Sequence, residues 1–178
     1  MNTFLPTDYK VPKGPSNYMK FQQGANRFRI LGALIMGYEY WTEDGMTKTP
    51  NRVRTIDEIN TDQVDPKDIK HFWAMPVWNY QDKVVQILEI TQKGIQRSLK
   101  ALSDDEDWGN PTGFDIVVTK TGEKLETEYS VQPKPAKPLE KEIEDKFKTK
   151  YIKLDALYEG LDPFKTDEQL KEDKLKKK

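Results

Sequence analysis

The feature that most constrains the fold is residues 70–90, KHFWAMPVWNYQDKVVQILEI. Two runs rich in Val, Ile, Trp and Tyr flank a polar tip at Gln81 and Asp82, which is typical of two antiparallel strands joined by a short turn. Successive side chains of a strand point to opposite faces. The first strand therefore has one face with Phe72, Trp78 and Tyr80 and another with Trp73, Met75 and Val77. One face can form a core, so the other needs a separate explanation, either further protein or a ligand.

Further strands and one helix are predicted around this hairpin. Residues 26–41 read as a long first strand that carries Arg27 and Arg29 on one face and bends at its glycines. Residues 42–69 lose the pattern and predict a long loop, with Lys48, Arg52 and Arg54 in its first half. Three-and-four spacing of apolar residues predicts a helix over residues 91–103, capped by Thr91, and two β-type runs in residues 114–132 predict a second hairpin.

The predicted order is strand, long loop, hairpin, helix, hairpin, which is the order of the OB-fold. We therefore expect a mainly β chain with a five-stranded OB-fold barrel and a charged, partly helical C-terminal tail. That barrel binds oligonucleotides or oligosaccharides across its second and third strands and the adjoining loops. The aromatic hairpin, the arginine face and the cationic half of the loop all belong to that surface.

Proline, glycine and charge divide the chain into four predicted parts. Residues 1–24 form an extended N-terminal arm, residues 25–133 the OB-fold domain, residues 134–138 a proline-rich linker and residues 139–178 a charged, helical or flexible tail. In the arm, Lys20 and Phe21 could hold a phosphate and stack on a base, or simply cover one end of the barrel. The tail has equal numbers of basic and acidic residues and apolar residues at helical spacing, which favours docking on the barrel or on a second copy.

Composition limits the chemistry. Without cysteine and with only one histidine, His71, the chain has no disulfide or thiolate zinc site, and we expect no metal and no cofactor. The sequence has no membrane-length apolar run and no signal pattern at its start. It also lacks a nucleophile paired with a base and a phosphate-binding loop, so an enzyme is not expected, although spacing alone leaves a carboxylate-only nuclease open.

Four blocks resemble a known family: NYMKFQQGANRFRIL, KHFWAMPVWNY, VQILEITQKGI and WGNPTGFDIVVTKTGEKLETEYSVQPKP. Together, over residues 16–138, they are similar to the single-stranded DNA-binding proteins of tailed bacteriophages, the helix-destabilising replication proteins. The resemblance implies an OB-fold protein that coats single-stranded DNA during phage DNA replication, recombination and repair in the cytoplasm of the infected host. It also implies a tail that recruits replication or recombination proteins. Two features depart from the family: the zinc insert of one branch is excluded, and the tail ends in KLKKK rather than in acidic residues.

The predicted mechanism combines phosphate contacts with base stacking, so sequence preference is weak and duplex DNA is bound poorly. The candidate DNA-binding residues are Lys20, Phe21, Arg27, Arg29, Tyr40, Lys48, Arg52, Arg54, Phe72, Trp73, Trp78 and Tyr80. Further copies of the chain on the same strand, and phage replication or recombination proteins bound through residues 139–178, are the other expected partners. The alternative function is an OB-like protein-interaction module of a replication or virion assembly.

Overall fold

The computed structural model describes Phe4, residues 8–10 and residues 16–176. The chain is mainly β, as predicted. Its strands are β1 (Tyr18–Met19), β2 (Gly24–Ile30), β3 (Ile35–Asp44), β4 (Thr47–Val53), β5 (Lys70–Asn79), β6 (Val84–Ile90), β7 (Asp115–Thr121) and β8 (Glu128–Pro133). Its α-helices are α1 (Lys93–Asp104), α2 (Lys141–Thr149) and α3 (Asp167–Lys176), and the 3-10 helices are Ile56–Glu58, Pro66–Asp68, Pro111–Gly113, Lys124–Glu126 and Leu154–Glu159. None of the described helices is long and apolar enough to cross a membrane.

The strands form one mixed sheet in the order β1-β6-β5-β2-β7-β8, and β3 joins it through β5 and carries β4. All pairs are antiparallel except β1 with β6. In the part of the chain that the structure describes, β8 and β1 are end strands without a bond between them. The sheet is therefore open in its hydrogen bonding, and not clearly a closed five-stranded barrel.

The central hairpin is confirmed. β5 and β6 pair from Trp73 opposite Ile90 to Asn79 opposite Val84. The turn between them contains Lys83 at a φ of 53°. The two faces of β5 are also as predicted, because Trp73, Met75 and Val77 contact one apolar cluster while Phe72 and Trp78 contact two others.

The predicted single strand over residues 26–41 is wrong, because it is broken at residues 31–34. Both halves pair with β5, β2 at Val77 to Asn79 and β3 at Lys70 to Ala74. Pro76 lies opposite the break and has no backbone N–H to donate, so the ladder cannot continue there. Its carbonyl still accepts a hydrogen bond from the Leu31 amide at 2.9 Å.

The predicted structureless loop over residues 42–69 is also wrong. β3 runs on to Asp44, turns at Gly45, which has a φ of +63°, and returns as β4. The loop has two residues, Gly45 and Met46, and glycine suits its first position because glycine adopts positive φ without strain. Residues 54–69 make the remaining connection, with two short 3-10 helices.

The helix and the second hairpin are confirmed with shifted ends. α1 begins at Lys93 after the N-cap Gln92, two residues later than predicted, and Thr91 does not cap it. Ile95 and Leu99 of α1 are buried against the sheet. β7 and β8 pair from Ile116 opposite Pro133 to Thr121 opposite Glu128.

The main core lies between α1 and one face of the sheet, which we call the inner face. Its buried members are Met19, Phe28, Ile30, Met75, Val77, Leu88, Ile90, Ile95, Leu99, Phe114, Ile116 and Val118. The opposite face, which carries Phe72 and Trp78, is called the outer face. It is covered by residues 139–164, the C-terminal segment, which contains α2 and the 3-10 helix Leu154–Glu159.

Candidate nucleic-acid interface

The strand registers bring most of the candidate residues to the outer face. Arg29 lies opposite Trp78, and Gly37 lies opposite Phe72. Residues opposite each other on neighbouring strands share a face, and alternate residues along a strand do too. The outer face or its edge therefore holds Arg27, Arg29, Lys48, Arg52, Arg54, Phe72, Trp78 and Tyr80.

Asp115 organises one end of the outer face. Its fully buried carboxylate lies 2.8 Å from an Arg27 nitrogen, 3.4 Å from an Arg29 nitrogen and 3.3 Å from Lys137 Nζ. The Tyr80 hydroxyl donates a hydrogen bond to it at 2.8 Å. Burial alone would raise the pKa of Asp115, but the hydrogen bonds from Arg27, Tyr80 and Lys137 outweigh it and hold that pKa below its usual value.

The two arginines of β2 differ in availability. The Arg29 side chain is 3% exposed and also donates to the backbone carbonyls of Thr112 and Lys137, both at 2.8 Å. The Arg27 side chain is 39% exposed and lies over the Tyr80 ring, 5.4 Å from its centroid. Arg27 therefore stays partly open to solvent although it is bonded to Asp115, whereas Arg29 is enclosed by its partners.

A second charged group lies in the middle of the outer face. Arg52 is 2.7 Å from a Glu89 oxygen and 3.4 Å from a Glu39 oxygen, and its guanidinium lies 5.9 Å from the centroid of the Phe72 ring. Burial and the neighbouring Glu89 raise the pKa of Glu39 to about 8, against the lowering effect of Arg52. Glu39 Oε2 and Arg52 Nε are both buried, lie 3.4 Å apart and make no hydrogen bond within the described structure.

The C-terminal segment covers Phe72. This ring is fully buried, and the Tyr158 ring lies 6.1 Å from it, centroid to centroid. Leu157 packs with Phe72 and Ile87 in the same cluster. The Arg54 guanidinium lies over the Tyr158 ring, 4.1 Å from its centroid, and the Tyr158 hydroxyl donates to the Met36 carbonyl.

The same segment covers Trp78. The indole is 5% exposed and packs with Val85 and with Ile143 of α2. Lys146 Nζ lies 5.2 Å from the Trp78 ring centroid. Lys150 Nζ donates to the Val85 carbonyl at 2.8 Å, and burial lowers the pKa of that lysine. Neither predicted stacking ring therefore has a free face while the segment is docked.

Four candidate residues lie away from the outer face. Trp73 packs against the core from the inner face, and its buried indole N–H has no acceptor in the described structure. Tyr40 is four residues after Met36 on β3, and Met36 lies opposite Trp73, so Tyr40 is on the inner face as well. Phe21 packs against the rings of Phe28 and Tyr129, which favours the alternative that it covers the end of the sheet. Lys20 is exposed beside it.

The sequence interpretation missed Trp41. This residue is on the outer face, two residues after Glu39, and is 55% exposed. It is not a member of the apolar clusters that the C-terminal segment forms with that face. It lines an open groove of about 520 Å³ with Glu43, Lys48, Lys67, Asp68 and Lys70. Trp41 is four residues after Gly37, so the alternation of side chains along a strand would have placed it on the outer face if β3 had been extended to the turn at Gly45 and Met46.

Comparison of the chain with models of protein families, with curated proteins and with solved structures gave no match. Within the described residues, no group of three or more His, Asp or Glu side chains is placed to hold a metal ion.

Proposed function

We propose that the chain binds single-stranded DNA across its outer face, with little sequence preference, during phage DNA replication, recombination and repair. The observation that carries this proposal is the shared face: eight residues selected from the sequence for stacking or phosphate contact lie on or beside one side of the sheet. Rings on such a face can stack on unpaired bases while cations hold the phosphates.

The connectivity supports an OB-fold as the framework of this site. The first strand of the OB-fold corresponds to β2 together with β3, and both halves pair with β5. β5 and β6 form the central hairpin, and α1 connects it to the hairpin of β7 and β8. On this assignment β4 is an elaboration of the loop between the first two barrel strands. The outer face of β5 and β6 is then the surface that OB-folds use for oligonucleotides.

The C-terminal segment must leave before bases can stack on Phe72 and Trp78. A stacked base contributes about 1–3 kcal/mol, and burial of one large apolar side chain contributes about 1.5–3 kcal/mol. Displacing Ile143, Leu157 and Tyr158 therefore consumes the stacking energy of several bases. We expect short oligonucleotides to bind weakly and longer ones, which add phosphate contacts, to open the face.

The alternative is a protein-interaction module of a replication or virion assembly. One observation favours it: the outer face already holds an amphipathic helical segment, with Ile143 of α2 against Trp78 and Val85. A partner helix with a similar apolar face would compete for the same position. This function predicts little salt-dependent affinity for oligonucleotides.

The test compares the full chain with a variant in which the segment is loosened. Ile143→Asp places a charge against Trp78, and Leu125→Asp, at a fully exposed leucine, is the matched control. Tryptophan fluorescence would be followed during titration with oligo-dT and with matched duplex at several salt concentrations. We expect quenching by the single strand that weakens with salt, and an affinity about tenfold or more higher for Ile143→Asp than for the control. Absence of any response in both folded variants would reject DNA binding and favour the protein-interaction module.

A further inference from the structure

A hollow lined by lysines lies between the turn of the central hairpin and α2 of the C-terminal segment. It has a volume of about 430 Å³ and is lined by Lys83, Val84, Val85, Lys146, Thr149 and Lys150. Three of these six residues are cationic, and no acidic residue of the described chain lines the hollow. The volume is within the range of about 300–1,000 Å³ that small-molecule sites occupy. The lysine hollow is therefore suited to a small anion.

Lys150 supplies the most enclosed charge of the lysine hollow. Its ammonium donates to the Val85 carbonyl at 2.8 Å and lies 5.0 Å from the centroid of the Phe164 ring. Burial lowers the pKa of Lys150, and no carboxylate among the described residues acts on that pKa in the opposite direction. An ammonium has three donors, and the loss of its hydration is costly unless an anion compensates for it. An anion in the hollow would supply that compensation.

Lys83 reaches the hollow from the hairpin turn. Its φ of 53° is in the left-handed region, which glycine and asparagine adopt far more readily than lysine. The side chain is exposed and forms no salt bridge within the described part of the chain. Strained backbone conformations cluster at functional sites. The strain at this position is therefore explained by a use for the Lys83 ammonium.

Lys146 completes the group from α2. It is four residues before Lys150, so the two side chains lie on the same side of the helix end. Its Nζ is 3.3 Å from a Glu142 oxygen and 5.2 Å from the centroid of the Trp78 ring. The Lys146 and Glu142 side chains are 49% and 74% exposed, so their ion pair contributes little and can be exchanged for a ligand.

We propose that Lys83, Lys146 and Lys150 bind a phosphate group, which links the central hairpin to the C-terminal segment. The three ammonium groups come from two separate elements and present donors to one anion from several directions. A phosphate group has more acceptor oxygens than a carboxylate and carries more charge, so it fits this arrangement better. Free phosphates and the DNA backbone share this chemistry, and the experiments below distinguish them.

The docked position of α2 is a condition of this site, because α2 and its C-cap Lys150 supply two of the three lysines. A ligand that binds only the docked state stabilises that state. Free phosphates would therefore oppose the departure of the segment from Trp78 and lower the affinity for a long single strand. This consequence rests on the proposed function, whereas the phosphate site itself does not.

The first experiment titrates the full chain with sodium tripolyphosphate at low salt in a calorimeter. Lys83→Gly removes one ammonium without harm to the turn, because glycine adopts this φ without strain. We expect this variant to bind tripolyphosphate about tenfold more weakly, the effect of one charge-assisted hydrogen bond. Lys124→Gly is the matched control with unchanged affinity, because Lys124 has the same φ of 53° but does not line the hollow.

A second pair of variants tests the side of the hollow that α2 forms. Lys150→Gln should weaken tripolyphosphate binding about tenfold or more. Lys148→Gln should leave it unchanged, because Lys148 pairs with Glu144 at 2.8 Å and does not line the hollow. Tripolyphosphate should also slow backbone hydrogen exchange in residues 139–164 of the unmodified chain and of Lys148→Gln. Absence of tripolyphosphate binding, or an equal loss in the lysine variants and their controls, would overturn the inference.

An oligo-dT of about four nucleotides identifies the source of the phosphate. If it displaces tripolyphosphate and slows the same hydrogen exchange, backbone phosphates of DNA occupy the hollow. If tripolyphosphate binds and the oligonucleotide does neither, the site takes free phosphates, and both outcomes support a phosphate site. Binding of long oligo-dT is measured without tripolyphosphate. Failure of the phosphate site therefore leaves the proposed function standing, and failure of DNA binding leaves the phosphate site standing.

Discussion

The ring of Tyr158 lies against the ring of Phe72, with centroids 6.1 Å apart and planes inclined at 55°. The side chain best suited to stack on a base in the middle of the outer face is thus already in contact with an aromatic ring of the same chain. Tyr158 is also held by Arg54 and by the Met36 carbonyl. The C-terminal segment therefore occupies the proposed DNA surface with the same kinds of contact that a nucleotide would make.

Tyr158→Ala tests this occupation. The substitution removes the ring contact with Phe72 and the hydrogen bond to Met36. We therefore expect faster backbone amide hydrogen exchange in residues 139–164 and a higher affinity for oligo-dT. Tyr158→Phe is the matched control, because it keeps the ring and loses only the hydroxyl. Hydrogen exchange that is unchanged in Tyr158→Ala would show that the segment is anchored elsewhere.

Asp115→Asn is expected to destabilise the fold by about 3–5 kcal/mol, because it leaves the buried guanidinium of Arg29 without its carboxylate. Arg27→Gln is the comparison variant, with a much smaller expected loss since Arg27 is partly exposed. Urea denaturation at neutral pH measures both. If both variants lost the same free energy of unfolding, the Asp115 carboxylate would stabilise the fold only through Arg27.

The two charged groups of the outer face, one around Asp115 and one around Arg52, differ in how far they could be predicted from the sequence. Asp115 stands in the run FDIVV, and a charged residue inside a buried strand signals that a cation lies opposite it. Arg52 with Glu39 and Glu89 gives no such signal, because its members come from three strands of which one, β4, was not predicted. Ion pairs between residues of three strands depend on how those strands are aligned in the sheet, and a single sequence does not give that alignment.

The unpredicted β3–β4 hairpin has a physical explanation of the same kind. β4 reads TKTPNRV, and its first three residues are exposed, so no buried face imposes an alternation of apolar and polar residues. The central hairpin was predictable because both of its faces are covered. The helical spacing of Ile143 and Phe147 predicted a helix, but the surface against which it packs depends on tertiary structure.

Trp41→Ala is expected to weaken binding of oligo-dT by about 1–3 kcal/mol without lowering stability, because its ring is exposed on the outer face beside Lys48 and Lys70. Trp108→Ala is the matched control: Trp108 is 38% exposed, but it follows the acidic run at the end of α1. Fluorescence anisotropy of a labelled strand measures both affinities. A larger effect of Trp108→Ala would place the DNA on the other side of the sheet.

Glu39→Gln is expected to remove a pH dependence of stability. Burial and Glu89 raise the pKa of Glu39 in the folded chain to about 8, above the ordinary value near 4.5 that applies when the chain is unfolded. Between these values the folded state keeps a proton that the unfolded state has lost, so stability is fully present below pH 4.5 and declines as pH rises towards 8. The neutral amide cannot ionise, and we expect Glu39→Gln to be more stable than the unmodified chain by about 1–3 kcal/mol at pH 8, with little difference at pH 5.

Urea denaturation of both proteins at a series of pH values measures this difference directly. Glu43→Gln, at an exposed glutamate on the same face of β3, is the control for the loss of one carboxylate from that strand. If Glu39→Gln were instead less stable at pH 8, Glu39 would be ionised in the folded chain and its attraction to Arg52 would exceed the combined effects of burial and Glu89.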